Sequence, residues 1–577
     1  VKLSKEQIDV IEAPLGPIAV TACAGSGKTA TAIRRLISIR KKMQNNRGRV
    51  VLLSFSNVAV NTFNAGYAEL AASLPDGANY RKVEVDTLDG FFTKYILRPH
   101  SYRTMTATQA AYLVSGSEPF LANAKFKYWR EGLPPLPLKD IKIIIIDGDF
   151  IFYSDIRNNL EILDKDKVLK IIHNLGRLGA YTHEIGRYWI YKTLHSQPEI
   201  LRALASRYPQ ILIDESQDLG TLHEEILKLL ITAGVQVTLL GDVNQGIYGF
   251  AGADGEFLKS YEDRAEVTGY KLTRNYRSLP PIINIANILC GRHDEPDRQE
   301  EQGGAYFIGY KDSELPKLTE AFKTHIDELG MKHEDAVILC RGADRVAVIA
   351  GKTAPSGQGI VKVLAEASLL RDQNSNYHGC FKLVCLAIIS LLKDVPHGLS
   401  AGLQGLSHDD EMKELKRLLW RFSRSSDVGL PSSALIAKTE WHAKLLINVK
   451  ALLAEIEKQY GYKIDGTLGT KLRKNLLPDL PLASTTAPQT HGFRVETVHQ
   501  VKGESIGAVM YIAKKAHIEA LLSGTSEEEG RIGYVAITRA KNLFWLAVPQ
   551  SCLKEFKDSL IKAGFQEWVK PSIITPS

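Results

Sequence analysis

Ala22-Cys23-Ala24-Gly25-Ser26-Gly27-Lys28-Thr29 is the stretch on which the reading of this chain turns. It follows the apolar run Ile18-Ala19-Val20 and opens into Ala30-Thr31-Ala32-Ile33-Arg34-Arg35-Leu36, whose pattern predicts a helix. A strand, a small-residue turn and a helix N-terminus in succession make a phosphate cradle. Gly25 and Gly27 let the backbone bend, so that the N–H groups from Ala24 through Ser26 to Thr29 can point at an anion. The helix dipole adds favourable potential at the same place. Lys28 is then placed to reach β- and γ-phosphates, and the Thr29 hydroxyl to bind Mg²⁺. The strict pattern has Gly where this chain has Ala22. The competing reading is a Gly-Ser loop before an ordinary helix, and the placement between strand and helix disfavours it.

Composition bounds the rest. At 577 residues the chain exceeds a single core and predicts about three or four domains. Hydrophobic residues at 44% and charged residues at 24% are ordinary for a soluble globular protein. The net charge of +7 is a mild basic bias, compatible with a polyanionic partner. No run of 18 apolar residues occurs, so no membrane span is expected, and Val1-Lys2-Leu3-Ser4-Lys5 has no apolar leader core. Of the six cysteines, Cys23, Cys290, Cys340, Cys380, Cys385 and Cys552, two lie close together, in a run that reads as core. No spacing completes a zinc site, and the expected setting is reducing and cytoplasmic.

Upstream of the phosphate loop, Ser4 is placed to cap a short helix, and Gln7 offers the donor and acceptor pair that matches an adenine edge. Downstream, Val50-Val51-Leu52-Leu53-Ser54-Phe55 is a buried strand ending in Ser56-Asn57, and Val83-Glu84-Val85-Asp86-Thr87 repeats the pattern. Ligand groups gather at the carboxyl ends of parallel strands, which marks Phe55 and Asn57, with a plain strand-end cap as the alternative. Residues 93–205 read as helix-rich around the proline cluster Leu133-Pro134-Pro135-Leu136-Pro137. Within them Ile143-Ile144-Ile145-Ile146-Asp147 imitates a strand ending in a metal-binding Asp, and is set aside because Gly148 follows where an acidic partner is expected.

Ile211-Leu212-Ile213-Asp214-Glu215-Ser216-Gln217-Asp218 is the stronger acidic strand end. Asp214 is placed to hold the Mg²⁺ of Mg·ATP and Glu215 to polarise an attacking water. The strand Val235–Leu240 runs into Gly241-Asp242 and then Asn244-Gln245-Gly246-Ile247-Tyr248-Gly249-Phe250-Ala251. Gln245 is a candidate γ-phosphate sensor, and Tyr248 and Phe250 among glycines suit base stacking, with core packing as the alternative. In Thr273-Arg274-Asn275-Tyr276-Arg277-Ser278 an aromatic beside a cation suits adenine stacking and a phosphate clamp.

Taken in order, these stretches resemble the superfamily 1 helicases of the UvrD/Rep/PcrA kind. Two later ones complete the set: Thr497-Val498-His499-Gln500-Val501-Lys502-Gly503-Glu504 is similar to the family's fifth motif, and Glu527–Ala540 to its sixth. The resemblance implies an α/β fold of two RecA-like P-loop motor domains, parallel sheets flanked by helices, each with a mainly helical inserted subdomain. The first motor domain is expected at residues 1–92 and 206–275 around an insertion at 93–205. The second is expected at 276–365 and 491–577 around an insertion at 366–490. The resemblance further implies ATP and Mg²⁺ in a cleft, with Gln7 and Tyr276 on adenine and Arg277 and Arg539 on the γ-phosphate. Phe55, Asn57, Thr87, Tyr248, Phe250 and His499 are the matching positions for single-stranded DNA. It implies a DNA-dependent ATPase that moves 3′ to 5′, acting on single strands and on single-strand/duplex junctions.

The chain departs from the family pattern at several points. Cys23 replaces a Gly of the phosphate loop and is expected to slow nucleotide handling or sensitise it to oxidation. Ala251 stands where an Arg is usual. Ser505 holds the usual acidic position, with Glu504 one place early as the candidate ribose contact. After Leu543-Phe544-Trp545-Leu546 only one amphipathic helix is expected, with no nuclease domain and no long tail. Two settings remain open: a motor of repair or replication restart, and a DNA-end-sensing ATPase of an antiphage defence complex, similar to the Gabija type, acting through a nuclease partner. An RNA motor is disfavoured by the motif details. A kinase or transporter subunit fails on the late motifs.

Overall fold

A strand of a parallel sheet is buried on both faces and therefore reads as a continuous apolar run. The runs at Ile18–Ala22, Val50–Ser54, Gln210–Ile213 and Gln236–Gly241 follow this rule, and Val83–Thr87 is half-buried, in the computed structural model, which describes residues 3–43, 47–72, 82–114, 118–146, 148–156, 159–249, 252, 255–299, 302–350, 357–373, 375–393, 395–396, 398–404, 410–475, 477–483 and 492–569. Strands β1 (Ile18–Ala22), β2 (Val50–Ser54), β3 (Val83–Thr87), β4 (Gln210–Ile213), β5 (Gln236–Gly241) and β6 (Thr268–Leu272) form one parallel sheet in the order β6-β1-β5-β4-β2-β3. A second parallel sheet contains β7 (Gly304–Tyr310), β8 (Ala336–Cys340), β9 (Arg494–Thr497), β10 (Ile506–Ile512), β11 (Ala540–Pro549) and β12 (Gln566–Glu567), in the order β9-β8-β10-β11-β7-β12.

Helices connect the strands, as a parallel crossover requires. Helix α1 (Lys5–Glu12) starts on a capping box: Gln7 N donates to Ser4 Oγ at 3.2 Å and Ser4 N to Gln7 Oε1 at 3.1 Å. Helix α2 (Lys28–Lys42) opens directly from the glycine turn and buries Ala32, Leu36 and Ile39. Helix α3 (Asn57–Ala72) follows β2 and is capped by Ser56, whose Oγ accepts from Ala59 N, so Asn57 is not the cap. In the second half, α4 (Pro280–Cys290) and α5 (Glu528–Arg539) pack on its sheet through Ile282, Ile285, Val535 and Ile537.

The chain divides into two compact units. Val1–Phe92, Leu194–Lys352 and Ala487–Ser577 carry both parallel sheets; Thr93–Thr193 and Thr353–Thr486 make the other unit. The cut after Phe92 coincides with the one expected from sequence, and the others fall after Thr193, Lys352 and Thr486 rather than after residues 205, 365 and 490.

The helix-rich reading of 93–205 holds for its flanks, where Arg98–Thr104, Lys165–Arg177 and His183–Ser196 are helical. Between them lies an antiparallel meander of Lys142–Ile146, Asp149–Ile156 and Asn159–Ile162, which buries Ile143 and Phe152. Gly148, at φ 80°, sits in the turn that reverses the chain, which is why the isoleucine run forms half of a hairpin; Asp147 lies outside the described residues. The proline cluster supplies Leu133–Leu136, paired with Tyr128–Arg130.

In Thr353–Thr486, the helices Gly359–Asp372, Tyr377–Ile389, Asp410–Arg424 and His442–Tyr460 enclose one core. Cys380 and Cys385 lie in it. Among the described residues no helix is long and apolar enough to cross a membrane. Trp441 is fully buried in this core, with Nε1 donating to Ser368 Oγ at 3.2 Å and to the Pro431 carbonyl at 3.3 Å. Trp441→Ala is expected to cost about 3–5 kcal/mol, read as a lowered denaturant midpoint for the unfolding of this unit.

Candidate active site

Strand register assembles the site. Thr21 pairs with Gly241, Ala22 with Leu272, and Ile213 with both Leu53 and Leu239. The segments that leave these strands therefore emerge along one carboxyl edge: the phosphate loop after β1, Phe55 after β2, Asp214-Glu215 after β4, Asp242 through Gln245 after β5, and Thr273 onward after β6. In the second sheet Ile506 pairs with Ala540, which sets Gly503 and Arg539, each just ahead of its strand, side by side. Together they enclose a cavity of about 110 Å³ lined by Cys23 to Thr29, Glu215, Gln245, Arg277, Gly503 and Arg539. Ligand pockets run to roughly 300–1,000 Å³, so this chamber matches a phosphate tail rather than a whole nucleotide.

The glycines of the loop are required by its shape. Gly25 and Gly27 take φ 73° and 77°, the left-handed region. A Cβ at Gly25 would lie 2.5 Å from Arg277 Cβ, and one at Gly27 would lie 2.7 Å from Gln7 Nε2. The loop is held from both sides: Gln7 Nε2 donates to the Ser26 carbonyl at 3.1 Å, and Tyr276 N donates to the Gly25 carbonyl at 2.9 Å. Gln7 thus spends its amide on the capping box and the loop, and Tyr276 meets the loop through its backbone.

Charge fills the chamber. Lys28 Nζ lies 3.2 Å from Glu215 Oε2, which also accepts from Gln217 Nε2 at 2.5 Å. Burial opposes the charge on Lys28, but Glu215, Asp214 and Asp242 outweigh it and raise its pKa. Burial also opposes the charge on Glu215, and Lys28 with Lys502 overcomes this to hold it below the usual carboxylate range. Asp214 goes the other way: burial and the neighbouring Glu215 push it up. Its Oδ1 is buried and has no hydrogen-bond partner. An orphaned carboxylate oxygen in the charge surroundings of Lys28, the neighbour of Thr29, fits a hard, oxygen-seeking cation.

Arg539 is buried, donating from Nη2 to Gln245 Oε1 at 2.9 Å and from Nη1 to the Glu504 carbonyl at 3.2 Å. Arg277 donates from Nη1 to the Thr538 carbonyl at 2.9 Å; burial, then Arg539, pushes it down to about 9.

One expectation needs correction. Cys23 is buried and its thiol is pushed far above its ordinary value by that burial, so it is protected rather than oxidation-prone. The half-exposed Glu504 carboxylate pairs with Arg494 at 2.6 Å, and its carbonyl accepts from Arg539 Nη1.

The positions matched to single-stranded DNA fall into two groups. Phe55, its ring edge-on to His223 at 6.0 Å, and exposed Asn57 lie beside half-buried Thr87, since Ser54 pairs with Thr87 across β2 and β3. Tyr248 lies 5.7 Å from the His499 ring, and Lys502 Nζ sits 4.8 Å from its centroid. Burial, with Asp218 adding, raises the Tyr248 hydroxyl to about 12. Phe250 and Ala251 lie outside the described residues.

Reading by motif missed the ion pair beneath these aromatics. Lys502 Nζ contacts both oxygens of Asp218 at 2.5 and 2.6 Å, with the two side chains 8% and 4% exposed. Burial still raises Asp218 to about 6. A lysine ahead of a glycine carries no signal that names an aspartate 284 positions away. Lys502→Met leaves that carboxylate buried without its partner and is expected to cost about 3–5 kcal/mol of stability. The double variant Lys502→Met/Asp218→Asn is expected to recover most of the loss in thermal unfolding.

The comparisons agree with this geometry. Residues 3–185 and 181–266 match the family model of the UvrD/REP helicase N-terminal domain. The chain is 22% identical over 641 residues to the "Putative ATP-dependent DNA helicase YjcD" of Bacillus subtilis, covering 95% of this chain and 79% of that protein. It is 22% identical over 598 residues to "ATP-dependent DNA helicase UvrD2" of Mycobacterium tuberculosis, covering 93% and 77%. It is 24% identical over 323 residues to "DNA helicase II" of Haemophilus influenzae, covering 51% and 41%. With two parallel sheets closing on one phosphate loop, a first part that matches the UvrD/REP helicase N-terminal domain, and relatives that align along almost its whole length, the chain is similar throughout to the UvrD/Rep-like superfamily 1 helicases.

Proposed function

We propose that this chain is an ATP-driven motor that moves along single-stranded DNA, 3′ to 5′, and separates duplex at junctions. The observation that carries the reading is the chamber itself, to which distant stretches around Lys28, Glu215, Gln245, Arg277 and Arg539 each contribute a side chain. The names of the relatives, which are ATP-dependent DNA helicases, point the same way. In this reading the motor consists of the two sheets with their flanking helices, and the second compact unit is inserted into it.

The mechanism follows from the charges. A γ-phosphate entering the chamber competes with Glu215 for Lys28, and the exchange frees the carboxylate to take a proton from the attacking water. Arg277 and Arg539 meet the charge that grows on the transferred phosphoryl group, in a pocket dry enough to make that attraction count. Thr29 and Asp214 would hold Mg²⁺, which when bound neutralises the phosphate oxygens. Gln245 reports the γ-phosphate to Arg539. Lys502, paired with Asp218 and packed on Tyr248, joins this chemistry to the aromatic that faces the strand, with His499, Phe55, Asn57 and Thr87 as further contacts.

Steady-state ATP hydrolysis with single-stranded DNA, with single-stranded RNA and with neither tests the reading. DNA is expected to raise kcat at least about tenfold, and Glu215→Gln to remove about 10²–10⁴ of the rate, the usual worth of a general base. A flat response to DNA, with nucleotide still bound, sinks the motor; unwinding of 3′-tailed but not 5′-tailed duplexes fixes direction. Proton and metal compete for Asp214, whose pKa is raised. Protonation therefore grows as pH falls through that raised value, and apparent Mg²⁺ affinity is expected to weaken by up to about tenfold per pH unit there. Mg²⁺ titrations of hydrolysis between pH 8 and 5.5, with Asp214→Asn as the flat control, check this.

A further inference from the structure

Arg292 plays no part in the reading above. It follows α4, which packs on the second sheet, yet its guanidinium serves the first. Nη1 donates to the carbonyl of Ala22, the last residue of β1, at 3.2 Å and to Asp242 Oδ1 at 3.1 Å. Nε and Nη2 grip Asp294 Oδ1 at 3.3 and 3.0 Å. Asp294 is fixed in turn by Asn287, which accepts from its N–H and donates to its carbonyl, both at 3.0 Å. One edge of a planar fork is therefore held by Asp294, which aims the remaining N–H bonds at β1 and Asp242.

The consequence lies in how Asp242 shares its oxygens. Its side chain is fully buried. Oδ1 takes Arg292 and the backbone N–H of Asn244 at 3.2 Å, and Oδ2 takes Gln245 Nε2 at 2.8 Å. An amide has one donor end and one acceptor end. With Nε2 committed to the carboxylate, Oε1 of Gln245 faces Arg539 Nη2 at 2.9 Å; the flipped amide would set oxygen against carboxylate and N–H against guanidinium. The four side chains Arg292, Asp242, Gln245 and Arg539 thus form a directed chain that ends in the phosphate chamber, and the Ala22 contact ties the same guanidinium to the root of the loop.

We propose that Arg292 is a positioning residue that orients Gln245 and Arg539 at the γ-phosphate end of the chamber, so that the protein distinguishes a nucleoside triphosphate from a diphosphate. The inference rests on the ATPase reading above and extends it to a residue outside the motifs. Arg292 itself reaches no nucleotide; it acts through Asp242. Replacing it removes the charged partner of Oδ1, leaves the Asn244 N–H there, and loosens the pairing of Asp242 with Gln245.

The test compares binding of ADP and of a non-hydrolysable ATP analogue by calorimetry in the full chain, together with kcat and KM for ATP. The parent is expected to prefer the triphosphate analogue. Arg292→Met is expected to cut that preference and kcat each by about tenfold, with KM for ATP within about threefold and nucleotide-free affinity for single-stranded DNA unchanged. Arg292→Lys keeps a charge beside Asp242 without the planar fork and is expected to lie between the two. If Arg292→Met does not fold, Arg292→Lys carries the decision. A folded variant with preference and kcat within twofold of the parent overturns the inference, as does a parent that binds the two nucleotides equally. A parent that prefers the triphosphate but hydrolyses none in the presence of DNA breaks the motor reading instead, and the binding ratio of the variants still decides the role of Arg292.

Discussion

Buried carboxylates must be neutralised, and that constraint governs the molecule. Buried Asp218 and Asp242, and Glu215 with its side chain 24% exposed, leave the carboxyl edge of one sheet into a region with limited access to water, where an unpaired anion is costly. Each has its own cation: Lys28 for Glu215, Lys502 for Asp218 and Arg292 for Asp242. Two of these three cations lie on segments that flank the second sheet. The two sheets are therefore joined by electrostatic necessity as well as by apolar contact.

The same constraint gives the site its responsiveness. Lys28 and Glu215 satisfy each other, and Arg277 and Arg539 lie nearby with their pKa values lowered by burial. A trianionic phosphate tail is the complement of such a cluster, because it offers Lys28, Arg277 and Arg539 a common partner and releases Glu215. Asp214 has no cation of its own, and its carboxyl oxygen is buried without a hydrogen bond. In the proposed reading Asp214 takes a metal and the cationic side chains of the chamber take phosphate.

Much of this was legible because some residue types have few other uses. Two glycines with positive φ at 25 and 27, a lysine and a threonine at a helix start, and an acidic pair after an apolar run report their geometry directly. Ser4 announced a helix start by its position, whereas the part of Gln7 in the capping box and on the phosphate loop emerged only from the structure. What stayed hidden depends on distant partners. Nothing near Arg292 indicates that it reaches Ala22, 270 positions away, and nothing near Glu504 indicates that Arg494 takes its carboxylate. The meander at 142–162 was obscured because an isoleucine run in a hairpin and one in a parallel sheet share a composition, and only the turn at Gly148 separates them.

Sequence by itself determined the parallel architecture, the phosphate loop and the order of the motifs, since these rest on local backbone preference and apolar patterning that neighbouring residues enforce. Tertiary structure alone decided which cation answers which carboxylate, that Cys23 is sheltered, and that Tyr248 packs against both His499 and Lys502. The reason is physical: the free energy of a buried charge is set by whatever lies within a few ångströms of it, and folding brings those neighbours from anywhere along the chain.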